Sequence, residues 1–304
     1  LRYRHRLDSY DAVRRGDLTD AQFIYLVADL DAAVVRIDGV GFSETPVHDA
    51  RALATAAGLD VDLVIKAEPH NVGGSHKARH LMGVAIALRV DQALGQPLPD
   101  RLAIASCGNA AIGASIIAGA LARPLDVFVP TWADPAVITE LSGHGASVHR
   151  CERRAEEAGD PCYLRFREAV AAGATPFSVQ GSDTPTTFDG GRTLGWELGD
   201  QVPDLDAMYI QVGGGALATS VATALPGVTL FPVQAEGCAP LRRAWDRLAP
   251  EFDFAAARSA PGEYMWPWDD PQSYATGILD DITYDWLPLL VATRASGGEP
   301  VVAP

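Results

Sequence analysis

The sequence predicts an α/β fold built on parallel β-sheets with helices on both faces. Short apolar segments alternate with longer amphipathic segments along most of the chain, and no internal repeat interrupts this order. Such alternation is typical of parallel strands that are connected by helices. The length of 304 residues corresponds to about two domains or one large α/β unit.

Periodicity and end signals predict the elements in chain order. The first helix covers 19–34, where Thr19 and Gln22 form a capping box ahead of an apolar stripe. A second helix is expected from about His48 to the stop at Gly58. The other predicted helices are 75–94, 110–121, 135–143, 161–172, 191–199 and 217–225. The predicted strands are 61–67, 102–105, 125–129, 147–150, 177–180, 208–212 and 230–235.

The composition argues against several classes of protein. The net charge is −15, and a surface this acidic repels phosphate backbones, so we expect no nucleic-acid partner. The four cysteines show no C-x-x-C spacing and no accompanying histidine cluster, so neither a metal site nor a disulfide framework is expected. No segment approaches the roughly 18 apolar residues of a membrane span, and no apolar stretch follows the basic start. We therefore expect a soluble cytoplasmic protein without a membrane partner.

Parallel sheets bind ligands beyond the carboxyl ends of their strands, and four loops leave predicted strands there. These loops are 68–76, 106–109, 181–190 and 213–216. In the first, Ser75 is a good helix N-cap, which places Lys77 in the first helical turn. The helix dipole disfavours an ammonium at that position and helps to keep the amine nucleophilic, as a Schiff base with an aldehyde requires. Taken alone, a lysine is more often an ordinary solvated residue.

The second loop joins a predicted strand to a predicted helix. It consists of Ser106, Cys107, Gly108, Asn109 and Ala110. Serine, glycine and asparagine at a helix N-terminus offer several donors to a carboxylate or a ring oxygen. The simpler alternative is a capped turn in which Asn109 is the N-cap.

The loop at 213–216 contains consecutive glycines between a strand and a helix. With the residue that follows, it reads Gly213, Gly214, Gly215, Ala216 and Leu217. Three glycines allow several backbone N–H groups to converge on one phosphate. The spacing is not that of a P-loop, and it does not match the G-x-G-x-x-G dinucleotide motif.

In this order, the three loops resemble those of the fold-type II pyridoxal-phosphate (PLP) enzymes, which include threonine synthase, threonine and serine dehydratases, cysteine synthase and the tryptophan synthase β subunit. The lysine motif of that family reads approximately N-P-T-G-S-F-K-x-R, and this chain has Asn71-Val-Gly-Gly-Ser-His-Lys-Ala-Arg79. The S-S-G-N loop is present as Ser106-Cys-Gly-Asn109, and the phosphate loop as 213–217. The start at Tyr3-Arg4 and the segment 188–198 look closest to threonine synthases and threonine dehydratases.

The resemblance implies a role for each of these residues. Lys77 would carry PLP as a Schiff base and move the α-proton of the substrate, and His76 would touch the phosphate or the ring. Asn109 would bind the 3-oxygen of the pyridine. The phosphate would be bound by Gly213, Gly214, Gly215, Ala216 and Leu217. The substrate carboxylate would be bound by Ser106, Cys107, Gly108, Asn109 and Ala110.

The family's chemistry implies a lyase or a β/γ-replacement enzyme. A hydroxy or O-activated amino acid would give an aminoacrylate- or aminocrotonate-type intermediate, as in dehydratases and threonine synthase. A threonine synthase must bind a second phosphate, for which Arg79, Arg192 or His80 are candidates. One alternative is a non-catalytic PLP-fold protein that binds an amino acid. The other is a nucleotide-dependent enzyme in which Glu236, about 20 positions beyond the glycines, holds a ribose.

The resemblance also implies a two-domain architecture and a homodimer. A large cofactor-phosphate domain would comprise 1–78 and 186–304, and a smaller inserted domain 79–185, with PLP in the cleft between them. In relatives, a C-terminal segment brings a Ser, Thr or Cys to the pyridine nitrogen, and this sequence shows no candidate for that residue. His76 stands where dehydratases usually have Phe, and Cys107 where they have a second Ser.

Overall fold

The computed structural model describes residues 1–155, 157 and 159–304. The helices are α1 (Asp11–Arg14), α2 (Asp20–Asp38), α3 (Arg51–Ala56), α4 (Lys77–Ala93), α5 (Asn109–Ala120), α6 (Pro135–Gly143), α7 (Pro161–Ala171), α8 (Thr187–Gln201), α9 (Ala216–Ala224), α10 (Pro240–Leu248), α11 (Phe254–Ser259) and α12 (Trp286–Ala295). The strands are β1 (Val47–Asp49), β2 (Val64–Lys66), β3 (Leu102–Ala105), β4 (Leu125–Pro130), β5 (Ser147–Cys151), β6 (Thr175–Pro176), β7 (Ala207–Gln211), β8 (Thr229–Ala235) and β9 (Val301–Ala303).

The strands form three sheets, of which the two larger are parallel. β1 and β2 pair antiparallel, with Val47 opposite Lys66. The second sheet has the order β5-β4-β3-β6, and the third has the order β7-β8-β9. The predicted class, an α/β fold with parallel sheets, is therefore confirmed. None of the described helices is both long and apolar enough to cross a membrane.

Helices cover both faces of the four-stranded sheet, as predicted. Successive residues of a strand point to opposite faces. Leu102 and Ile104 of β3 lie in the core that includes α5, whereas Ala103 packs with Phe166 of α7. Burial on both faces explains why β3 is a continuous apolar run instead of an alternating one.

Some predicted boundaries and elements are wrong. The segment expected to start a helix at His48 begins instead as β1, because β2 supplies its hydrogen-bonding partner, and only α3 remains helical. The strand expected at 177–180 is placed too late in the chain: β6 pairs with β3 at Thr175–Pro176, and the Phe177 N–H adds one hydrogen bond to the Ala103 carbonyl at 2.8 Å. α10, α11, α12 and β9 were not predicted. The signal for α10 was available, because Leu241, Ala244, Trp245 and Leu248 form one buried stripe at helical spacing. α11 and β9 are too short to show a periodic pattern.

The apolar core has two main clusters. The larger surrounds the second sheet and includes residues of α2, α4 and α5. The other surrounds the third sheet with residues of α9, α10 and α12. Helix α2 thus packs beside the second sheet, although it belongs to the predicted 1–78 segment. The division into 1–78 plus 186–304 and 79–185 stays a prediction.

Helices α4 and α8 touch backbone to backbone at a pair of glycines. A β-carbon at Gly190 would collide with the Arg79 carbonyl and lie 2.8 Å from the Gly83 nitrogen. A β-carbon at Gly83 would in turn collide with the Gly190 backbone. Only glycine permits this approach, which presses the start of α4 against α8.

The carboxylate of Asp189, at the start of α8, anchors the N-terminal segment. It accepts the Asp8 N–H at 3.0 Å and the Ser9 N–H at 3.4 Å. Burial raises the pKa of Asp189 to about 6, and the Asp8 and Ser9 N–H groups and Arg192 only partly oppose this effect. The side chain is 4% exposed. Compared with the unfolded chain, the folded state therefore favours the protonated form of Asp189.

We expect Gly190→Ala to lower the free energy of unfolding by about 3 kcal/mol or more, because the added methyl has no space between the two helix backbones. Gly143→Ala is the matched control, since nothing lies within 4 Å of its added carbon. The control should stay within about 1 kcal/mol of wild type. Urea denaturation measures both, and equal midpoints for the two variants would contradict the close packing.

We also expect Asp189 to make stability fall as the pH rises. A carboxyl whose folded pKa lies above its unfolded value of about 3.9 contributes stability that is complete below about pH 4. That contribution is lost as the pH rises through about 6. Between pH 4 and 7, wild type should lose up to about 3 kcal/mol that Asp189→Asn does not lose. Urea denaturation across this range tests the difference, and parallel profiles would refute it.

Candidate active site

A cleft of about 1170 Å³ lies beyond the carboxyl ends of the parallel strands. We call it the lysine cleft. Its walls come from the loops that follow β3 and β7, from the start of α4, and from a coil segment at 276–284. Three of the four loops predicted from strand ends therefore meet in one place, as the geometry of parallel sheets requires.

The loop before α4 is held in shape by the side chain of Asn71. Its amide accepts the Val72 N–H at 2.9 Å and donates to Glu68 at 2.9 Å and to the Ser75 carbonyl at 3.3 Å. Ser75 has an extended backbone, and its Oγ accepts the Lys77 N–H at 3.3 Å. The Ser75 Oγ thus bonds to the first turn, although the N-cap residue of α4 is His76 and not Ser75 as predicted. Lys77 is the first residue of α4.

Burial lowers the pKa of Lys77, and the nearby carboxylates Asp280 and Asp285 only partly oppose this effect. Its Nζ forms no ion pair within the described part of the chain. A lowered pKa favours the neutral amine, which is the form that attacks an aldehyde. The chain has only one other lysine, Lys66. That amine is bound to Glu197 at 2.9 Å and to the Thr45 carbonyl at 2.7 Å, outside the cleft.

The glycine loop presents a row of free donors. Gly215 has a φ of 99° and is the N-cap of α9. The N–H groups of 215–218 have no acceptor among the described residues, as expected at a helix N-terminus. Such a row fits a phosphate group, because the N–H dipoles and the helix dipole both favour an anion. The loop therefore has the donors that a phosphate-bearing cofactor needs.

The segment that precedes α12 packs against the glycine loop and is hydrogen-bonded to it. The Asp285 N–H donates to the Gly214 carbonyl at 2.8 Å, and the Asp285 carboxylate accepts the Gly181 N–H at 3.0 Å. A β-carbon at Gly215 would lie 3.1 Å from the Thr283 side chain, and one at Gly213 would collide with the Asp280 carboxylate. Glycine is needed here for close approach as well as for backbone conformation.

The loop after β3 supplies donors on the opposite wall. Gly108 is the N-cap of α5, and its N–H donates to the Ser106 Oγ at 3.4 Å. Asn109 is the first residue of α5 and does not cap it, so the simpler alternative of an Asn109 cap is wrong. The N–H groups of Asn109 and Ala110 have no acceptor among the described residues. They face the same cleft as Lys77.

Two neutral histidines lie on α4 and just before it. His76 lines the cleft, and burial, followed by the charge of Lys77, holds its pKa well below the usual range. His80 lies one turn further along α4, and its ring packs edge-on against that of His76 with 5.9 Å between the ring centroids. The His80 Nδ1 donates a hydrogen bond of 3.0 Å to the Thr187 carbonyl. Burial lowers the pKa of His80 to about 3.

The three residues proposed for a second phosphate lie elsewhere, so that expectation is wrong. Arg79 donates to Glu68 at 2.8 Å and to Glu197 at 2.8 Å. Arg192 is paired with Asp8 at 3.0 Å. His80 is behind the cleft, bonded to the backbone of α8. None of these side chains lines the cleft within the described residues.

Several acidic or aromatic residues of the cleft were missed by sequence reasoning. They include Asp160, Asp280, Asp281 and Tyr284. The last three lie in coil, where no periodic pattern marks a buried face, and they reach the site only through the packing of the third sheet. The adjacent acidic pair Asp280-Asp281 was the available signal.

Comparison with known proteins agrees with this geometry. Residues 40–293 match the model of a family described as "Pyridoxal-phosphate dependent enzyme". Phenylserine dehydratase of Ralstonia pickettii is 28% identical over 234 residues, which cover 76% of this chain and 68% of the relative. L-threonine ammonia-lyase of Geobacter sulfurreducens is 31% identical over 121 residues, which cover 40% of this chain but only 29% of the relative.

Solved structures show the same fold. The crystal structure of a pyridoxal 5'-phosphate-dependent aspartate racemase superimposes with a TM-score of 0.68 at 21% identity, covering 91% of this chain and 79% of that one. The predicted fold-type II architecture, the relation to dehydratases and lyases, and the predicted PLP cofactor are confirmed. The alternative of a nucleotide-dependent enzyme is not supported by these comparisons. Glu236, which that alternative placed on a ribose, lies exposed just after β8. The chain belongs to the family of pyridoxal-phosphate dependent enzymes.

Proposed function

We propose that this protein is a PLP-dependent lyase that eliminates the β-substituent of an amino acid. The observation that carries the proposal is one cleft that combines two features. Burial lowers the pKa of the Lys77 amine, which has no ion-pair partner among the described residues, and N–H groups without an acceptor in that part of the chain lie on two walls. The similarity to a dehydratase and an ammonia-lyase supports this reaction type. When bound, PLP would withdraw electrons from the α-carbon of the amino acid and so acidify its α-proton.

The roles of the side chains follow from their positions. Gly213, Gly214, Gly215, Ala216 and Leu217 would hold the phosphate at the N-terminus of α9. Asn109 would bind the pyridine 3-oxygen, and His76 would lie beside the cofactor as a neutral ring. The substrate carboxylate would be held by Ser106, Cys107, Gly108, Asn109 and Ala110.

Lys77 would do the proton transfer. Its amine would carry the cofactor, and once released from it the neutral Nζ would accept the α-proton. The electron pair of the C–H bond then forms a carbon–carbon double bond, and the β-substituent leaves with its own bonding pair. The released enamine takes up water to give a 2-oxo acid and ammonia. An intact Lys77 disfavours the non-catalytic alternative.

Replacement by a second nucleophile is the other outcome of the same chemistry. A threonine synthase-like reaction is less well supported, because the described cleft offers no arginine cluster for a phosphorylated substrate. A homodimer and an inserted domain at 79–185 are proposed from the family resemblance, and a cytoplasmic location is proposed from the composition of the chain. Size-exclusion chromatography with light scattering tests the dimer.

Lys77→Ala should abolish the visible absorbance of bound PLP and lower the rate of 2-oxo acid formation at least about 1000-fold, because both the attachment point and the base are lost. Lys66→Arg is the matched control, since it changes the only other lysine and keeps a cation beside Glu197. The Lys66→Arg variant should retain the visible absorbance of bound PLP. Absorbance after desalting and a coupled assay with serine and threonine give both readouts. A folded Lys77→Ala protein with wild-type absorbance and turnover would contradict the proposal.

A further inference from the structure

One phenol of the lysine cleft has no bonding partner among the described residues. Tyr284 lies on the segment before α12 and lines the cleft. Its hydroxyl forms no hydrogen bond within the described part of the chain, and it is not one of the side-chain oxygens that are buried without a partner. The Tyr284 hydroxyl is therefore open to the cleft, where it can donate a hydrogen bond to a ligand.

The ring of Tyr284 is packed from two sides. On one side it lies against the glycine loop, since a β-carbon at Gly214 would be 3.3 Å from the Tyr284 Cδ2. On the other side the centroid of its ring is 6.5 Å from that of Tyr163, which belongs to α7. Packing on both sides restricts the ring, so the phenol is a positioned group and suits a catalytic role.

The phenol of Tyr284 and the amine of Lys77 lie around the same carboxylate. Asp280 is the group that most opposes the lowering of the Lys77 pKa by burial, and it acts electrostatically on Tyr284 as well. The Asp280 carboxylate also lies against Gly213 of the glycine loop. A substrate that is held between Lys77 and the glycine loop therefore borders on Tyr284.

The surroundings of Tyr284 keep its phenol protonated. Burial, followed by the charges of Asp280, Asp281 and Asp160, raises the pKa of Tyr284 above the ordinary value of about 10. The phenol can therefore give a proton, but it is not available as a base near neutral pH. It is still a stronger acid than water, whose pKa is about 15.7, so it can protonate a departing hydroxide.

We propose that Tyr284 is the catalytic acid that protonates the departing β-hydroxyl of the substrate. This inference rests on the proposed lyase function, in which Lys77 takes the α-proton. The neighbouring phenol is bound elsewhere, because the Tyr163 hydroxyl donates to Asp183 at 3.2 Å. Elimination then uses two separate side chains, a base on α4 and an acid on the segment before α12.

The proposed step balances in atoms and electrons. The α-proton passes to the Lys77 amine, and the electron pair of the C–H bond forms the carbon–carbon double bond. The β-carbon–oxygen bond breaks with its pair on oxygen, which takes the phenolic proton of Tyr284 and leaves as water. The Lys77 ammonium then gives its proton to the phenolate, so both side chains regain their starting states.

The test compares substrates whose β-substituents differ in their need for a proton. L-serine and L-threonine lose hydroxide and need an acid, whereas β-chloro-L-alanine loses chloride, which needs none. In the Tyr284→Phe holoenzyme, we expect kcat for 2-oxo acid formation from the hydroxy amino acids to fall at least about 100-fold. The kcat for chloroalanine should change little. Tyr163→Phe is the matched control, because it removes the neighbouring phenol that does not line the cleft, and both kinds of substrate should react as with wild type.

A second measurement separates the acid from the base. In deuterium oxide, proton NMR follows exchange of the α-proton of serine, a reaction that needs Lys77 but no leaving group. Tyr284→Phe should keep this exchange and the visible absorbance of bound PLP, while it loses elimination of hydroxide. If exchange and elimination are lost together, Tyr284 has a structural role and the acid assignment is wrong.

Failure of this inference and failure of the lyase function give different results. If Tyr284→Phe turns over serine and threonine as fast as wild type, or loses activity equally with chloroalanine, Tyr284 is not the acid and the lyase function stands. The same holds if wild type eliminates chloride but no hydroxyl. If PLP-loaded wild type eliminates neither group, the lyase function is wrong and the role of Tyr284 falls with it.

Discussion

The start of α4 is fixed by the buried guanidinium of Arg79. Its Nε and Nη2 bind Glu68 at 2.8 and 3.0 Å, and Nη1 and Nη2 bind Glu197 at 2.8 and 2.9 Å. Thr45 and Thr193 accept the remaining bonds. Burying such charges costs desolvation, which is offset only when every donor is used, as it is here.

The Arg79 network also fixes the position of Lys77, which lies two residues earlier in α4. Glu68 belongs to the loop that precedes Lys77, and Glu197 belongs to α8, so Arg79 ties both to α4. Lys66 completes the cluster at Glu197. The contact between Gly83 and Gly190 also holds the backbones of α4 and α8 against each other. Lys77 therefore sits on a rigid support, which suits a residue that must hold a cofactor and a proton in turn.

The chemical character of the cleft comes from opposing electrostatic features placed close together. Burial favours the neutral amine of Lys77, and unpaired N–H rows favour anions at two helix starts. Burial raises the pKa of both Asp280 and Asp281, which disfavours their charged forms. The lysine suits an aldehyde, and the N–H rows suit a phosphate or a carboxylate. The net charge of the chain does not decide any of these local preferences.

Sequence reasoning found the parts of this site that are local. The Thr19–Gln22 capping box, the bond from the Lys77 N–H to Ser75 and the glycine loop each depend on neighbours within a few residues, and the structure contains all three. It missed β1, whose strand character depends on the partner strand β2, 15 to 19 positions away. It also missed Asp280 and the pairing of Arg79 with Glu197, because both arise from tertiary contacts that no short pattern encodes.

The most direct test of the central claim is to trap the cofactor on its lysine. Borohydride reduction of the PLP-loaded protein, followed by digestion and peptide mass spectrometry, reports which amine carries the group. The assay is unambiguous because the chain has two lysines. We predict a pyridoxyl phosphate label on Lys77 and none on Lys66. A label on Lys66, or no label on a protein that shows the visible absorbance of PLP, would contradict the account.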